Sequence, residues 1–300
     1  KKNISNQERG VLNNLTSYDL SKIKIHNAEN KEKFDIAIFG NSRSVNIGKS
    51  DLQIRDEKFF NFSIPGESFR NSVSMIEILF NKNKVPKTNI IAFDNFEIDL
   101  IGGNVINPYL FFHRVKKKTI EFFYLINISY KEAFKNLHDY IIEEFRGLKY
   151  LFSITRNKIY VPLIFGYFYK DKVNLISENG KNIKTQLLKK KKYKFDYIRN
   201  DKYLLLEKDL NTLKRVKEQT GVNIIIYISP ILPDFQINQK LSNKAKFVKD
   251  RLFKICKKNK IRCIDSPIIS NTKKPFWDDS SHPPSQKIGS WIRKEILNAF

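Results

Sequence analysis

Three short segments carry residue types that could do chemistry together. Gly40-Asn41-Ser42-Arg43-Ser44 puts a serine in a glycine-led turn, Ser63 to Ser68 contains Pro65-Gly66, and Trp277-Asp278-Asp279-Ser280-Ser281-His282 sets an aspartate three residues before a histidine. A serine hydroxyl is a poor nucleophile at neutral pH, so it needs a base to take its proton and N–H donors to hold the oxyanion. Ser42 is the nucleophile this sequence offers and His282 the base, with Asp279 close enough to hold the imidazole in the required tautomer. The Ser42 backbone N–H, at a tight turn, is a natural oxyanion donor. Gly66 could offer a second without a side chain in the way, and Asn95, in Phe93-Asp94-Asn95, is a third candidate. Arg43 has two readings: it steadies an acidic substrate, or it caps the turn in an ion pair. Singly, each segment is weak, because Gly-x-Ser is common in turns and Asp-x-x-His near a helix start also reads as a cap with a surface histidine.

What gives the segments weight is the set of elements that must position them. Phe34–Phe39, Phe59–Ile64, Asn89–Phe93, Val222–Ile228 and Ile261–Ile264 are short apolar runs suited to buried parallel strands. Between them Phe69, Val73, Ile76 and Phe80 recur at helical spacing, and Tyr203–Lys217 and Lys244–Asn259 read as further helices. A last helix follows Pro283-Pro284, with Ile288, Trp291, Ile292 and Ile296 on one face. This alternation predicts an α/β fold, a flavodoxin-like three-layer sandwich with a five-stranded, mostly parallel sheet and a helical insertion. In such a sheet ligands bind beyond the carboxyl ends of the strands, where the candidate residues fall. Residues 1–33 read as an N-terminal arm or helix leading into the domain at 34–300. The insertion, at about 100–200, is aromatic and Lys-rich, with a helical tract at Ile120–Phe145 and a short strand at Tyr193–Tyr197.

With these blocks in this order, the sequence resembles the SGNH, or GDSL-like, hydrolase family. That family has a nucleophilic Ser after the first strand, a Gly block after the second, an Asn block after the third and D-x-x-H before the final helix. Here Asn41 stands where the family usually has Asp, and Phe93-Asp94-Asn95 lacks the Gly of its G-x-N pattern. The likeness is to divergent, often membrane-tethered members that act on acylated cell-envelope or extracellular polysaccharides. It implies a catalytic triad of Ser42, Asp279 and His282 in a serine esterase or O-acetyltransferase working through an acyl-serine intermediate, without a cofactor. The implied substrate is an acylated carbohydrate or another ester, with a membrane-bound acyl donor as a further partner. The implied location is the extracytoplasmic or membrane-associated bacterial cell envelope, with a cytoplasmic one left open. A noncatalytic module of the same fold, binding an anionic polysaccharide, is the alternative.

Other chemistries fit less well. Gly48-Lys49-Ser50 resembles the end of a phosphate-binding loop, but the earlier Gly would fall on Arg43, and no Gly-x-Gly-x-x-Gly follows the first strand. Ser44 occupies the last position of Gly-x-Ser-x-Gly, which argues against an α/β-hydrolase. His26, His113, His138 and His282 are too scattered for a zinc site, so no metal is expected. The 55 basic residues against 31 acidic ones give a net charge of +24. That balance favours anionic partners, but the basic residues follow no nucleic-acid-reading motif, and nucleic acid is not expected. Cys256 and Cys263 read first as buried free thiols, with a disulfide between them open. No apolar run approaches the roughly 18 residues needed to cross a bilayer, and the first residues carry no signal-peptide segment.

Overall fold

The computed structural model describes residues 11–13, 17–64, 67–94, 108–138, 173–176, 182–183, 203–230, 239–265 and 285–297. Five strands form an open, all-parallel sheet: β2 (Ile36–Phe39), β3 (Phe59–Asn61), β4 (Thr88–Phe93), β7 (Asn223–Ile228) and β8 (Arg262–Ile264). Their spatial order is β3-β2-β4-β7-β8. Numbered along the chain within this sheet, that is 2-1-3-4-5, the flavodoxin-like order. Ile38 pairs with Asn61 on one side and Ile90 on the other, and Ile90 pairs with Ile225.

Each central strand is apolar on both faces because both faces are covered. One set of alternate residues, Ala37, Phe39, Ile91, Phe93, Ile224, Ile226 and Ile228, belongs to the larger core. Residues of five helices join it: α1 (Ser17–Glu29), α2 (Phe69–Asn81), α3 (Pro108–Ile126), which gives Leu110, α5 (Tyr203–Thr220) and α6 (Gln239–Lys258). The other set, Ile36, Ile38, Ile90, Ala92, Ile225 and Tyr227, packs with Ile288 and Ile292 of α7 (Ser285–Glu295) and with Ile47, Leu52 and Ile54. The period-two alternation thus divides the runs into two cores. Gly289 lets α7 lie against the turn at Asp51, whose carbonyl oxygen would stand 2.4 Å from a Cβ added there.

Residues 17–29, within the stretch read as an arm or helix, form α1, with Leu20 and Ile25 fully buried in the larger core. The inserted region begins with α3 (Pro108–Ile126), a turn at 127–128, and a second helix, α4, over 130–138. The single tract expected at Ile120–Phe145 is therefore broken near its start, and residues 139–145 lie outside the described part, as does Tyr193–Tyr197. A second, antiparallel sheet joins β1 (Val11–Asn13), β5 (Val173–Ile176) and β6 (Asn182–Ile183), with Leu12 opposite Asn174. Cys256 and Cys263 are joined in a disulfide linking α6 to β8, in place of the free thiols first expected.

Candidate functional site

In the 2-1-3-4-5 order the succession of strands reverses between β2 and β4, and the crevice beyond their carboxyl ends is where such sheets hold ligands. The segment after β2 is Gly40 to Ser44, and Asp94 follows β4. Gly40 has φ +152°, and a Cβ there would meet the Ser44 hydroxyl at 2.5 Å and the Ala92 Cβ at 2.7 Å. Only glycine lets the chain turn this close to β4. Asn41 then starts a single helical turn. Its carbonyl accepts from the N–H groups of Ser44 and Val45 at 3.1 and 3.2 Å, and its side-chain oxygen accepts from the Arg43 N–H at 3.0 Å.

The turn buries Asn41, Arg43 and Ser44 while leaving Ser42 partly exposed. Among the described residues, no hydrogen bond takes up the Ser42 hydroxyl or its backbone N–H. Arg43 points inward and forms a buried ion pair with Asp94, across the switch point. Asn41 donates to the same carboxylate at 3.4 Å. The first and third blocks are thereby fastened to each other, with Ser42 between the two residues that make the fastening.

Beneath the turn lies a buried polar network. Asn61, on β3, donates to the carbonyls of Ser44 at 2.8 Å and Ile47 at 2.7 Å, and its own side-chain oxygen accepts from the Ser63 N–H. The Ser44 and Ser63 hydroxyls are 2.9 Å apart. Lys24 of α1 is fully buried and donates to the carbonyls of Asn61 at 2.9 Å and Ser63 at 2.7 Å. Burial lowers its pKa to about 7. The side chains shaping the serine turn thus come from α1, β3 and the end of β4.

Ser42 and Arg43 are the sequence-derived site residues that the structure places. Gly66, Asn95, Asp279 and His282 lie outside the described residues. Two contributors to the site's framework escaped the sequence reading, Asn61 and Lys24, and Ser63 was read as the start of the second block but not as the partner of Ser44. The signal for Asn61 was present, since an asparagine inside Phe59-Phe60-Asn61-Phe62 interrupts an otherwise apolar strand and a buried amide needs partners. Asp94 was read as part of the third block, but not as the partner of Arg43. The chain matches no family model, and no curated protein matches it as a relative.

Proposed function

We propose that the protein is a serine-dependent acyl-transfer enzyme acting on an acylated carbohydrate, with Ser42 as nucleophile. The observation that carries the reading is the turn itself: a partly exposed serine between two buried neighbours, at the switch point of a 2-1-3-4-5 sheet. Its N–H faces no described acceptor, which suits an oxyanion donor. In the proposed reaction the Ser42 hydroxyl attacks the ester carbonyl while His282 takes its proton, and Asp279 orients His282. His282 then protonates the departing alcohol, leaving an acyl-Ser42. Water regenerates the serine in an esterase, whereas a sugar hydroxyl does so in an O-acetyltransferase. Gly66 and Asn95 are proposed to complete the oxyanion hole.

An extracytoplasmic location, in or near a bacterial cell envelope, belongs to the same proposal. It is supported by the Cys256–Cys263 disulfide, since such bonds persist in oxidising compartments. Among the described residues no helix is long and apolar enough to cross a membrane.

The deciding measurement is labelling by a fluorophosphonate probe, with hydrolysis of an activated acetyl ester alongside. Labelling and turnover by the parent protein, both lost in Ser42→Ala and His282→Ala, are the expected result. A folded parent that shows neither would turn the reading to a noncatalytic module binding an anionic polysaccharide.

A further inference from the structure

Seven large apolar side chains stand out as exposed among the described residues, and six of them fall between positions 120 and 134: Ile120, Phe123, Tyr124, Ile128, Tyr130 and Phe134. They sit at the tip of the hairpin formed by α3 and α4. That hairpin is well anchored on its other side. Leu110 and Ala133 are fully buried, and Arg114 donates to Asn71 at 3.0 Å and Ser74 at 3.2 Å on α2. Lys117 pairs with Glu77, which also pairs with Arg215 of α5. The tip is closed by Ser129, whose carbonyl accepts from the Ala133 N–H, and by the edge-to-face contact of Phe122 with Phe134 at 5.5 Å. Fixed from behind, the hairpin holds its apolar side chains outward.

Exposed apolar side chains gathered in one short stretch of a folded chain mark a place where something docks. Here Lys116, Lys131 and Lys135 stand exposed beside the apolar residues, with Glu132 as the exposed carboxylate among them. Phenylalanine and tyrosine interleaved with lysine suit the boundary between lipid headgroups and acyl chains, where rings enter and ammonium groups meet phosphate. Arg114, Lys116, Lys117, Lys118 and Glu121 make α3 too polar to cross a bilayer. A second copy of this chain fits less well, because each copy carries +24 and the two would repel, whereas an anionic surface attracts that charge.

We propose that the α3–α4 tip is a membrane-docking surface that lies on an anionic bilayer, inserting Phe123, Tyr124 and Ile128 shallowly while Lys116, Lys131 and Lys135 contact lipid phosphates. This does not depend on the chemistry at Ser42. The test is flotation of the full chain with vesicles of phosphatidylglycerol and phosphatidylcholine against vesicles of phosphatidylcholine alone, with light scattering on the protein without lipid.

Binding only to the anionic vesicles is expected. A Phe123→Asp/Ile128→Asp variant should lose at least tenfold in partitioning, and Lys131→Glu/Lys135→Glu should lose about tenfold or more. Unchanged thermal melting would show that both variants remain folded. Three results would each overturn the proposal: no binding to anionic vesicles, binding that neither folded variant weakens, or a dimer that Phe123→Asp/Ile128→Asp dissolves without change in flotation.

Discussion

Arg43 and Asp94 carry opposite charges into a site where both side chains are almost wholly buried. Removing one partner takes the other's buried counter-charge away, so Asp94→Ala should cost about 3–5 kcal/mol in a denaturant melt. Arg43→Met/Asp94→Leu should cost less than the sum of its single changes, because both buried charges leave together. Lys24 makes a different prediction. Burial lowers its pKa to about 7 from the 10.5 of an ordinary lysine. Below about pH 7 both folded and unfolded chains hold the proton, and the cost of burying the charge is present in full. Between about 7 and 10.5 only the unfolded chain holds it, so stability rises with pH across that window. The unfolding free energy of the parent minus that of Lys24→Met should climb by up to about 1.4 kcal/mol per pH unit there. A flat difference would mean that the buried amine stays charged in the fold.

At the scale of elements, the chain announced its sheet plainly. All five parallel strands coincide with apolar runs to within one residue, and the central ones are apolar on both faces because a strand covered on both faces has no reason to alternate with polar residues. The same rule hid Asn61: one amide inside such a run reads as noise until the carbonyls it serves, on Ser44 and Ile47, come into place beside it. Helix α1 was harder to read, because its polar sequence includes Lys24, a residue type normally exposed, at a fully buried position. The serine turn was legible from Gly40-Asn41-Ser42, whereas the pairing of Arg43 with Asp94 depends on β2 and β4 being neighbours, which no local pattern records. The packing of α7 rests on Gly289. Gly289→Ala would push a methyl group into the Asp51 backbone, so it should destabilise by about 1–3 kcal/mol, read as a fall in denaturant midpoint with the slope unchanged.

Across the whole molecule, the disulfide ties one surface helix to the edge strand of the sheet. Cys256 and Cys263 are seven residues apart, so the loop they close is short. Cys256→Ser/Cys263→Ser should therefore lose only about 2–3 kcal/mol on a chain-entropy estimate. Reductant should lower the parent's melting temperature toward that of the double variant and leave the variant's own unchanged. The second sheet ties the start of the chain to the inserted region, since Leu12 pairs with Asn174. Any excision of the insertion that removes β5 would also strip β1 of its partner.

Among the described residues, the contacts that shape the serine turn, from Lys24 through Asn61 and Ser63 to Asp94, lie between residues 24 and 94. A ribosome releases that stretch well before β7. While synthesis continues, β4 is bare along the side that β7 will later occupy, an apolar edge open to any passing strand. The portion that builds the nucleophile's surroundings is thus also the portion most in need of a chaperone, until the last third of the chain arrives to cover it.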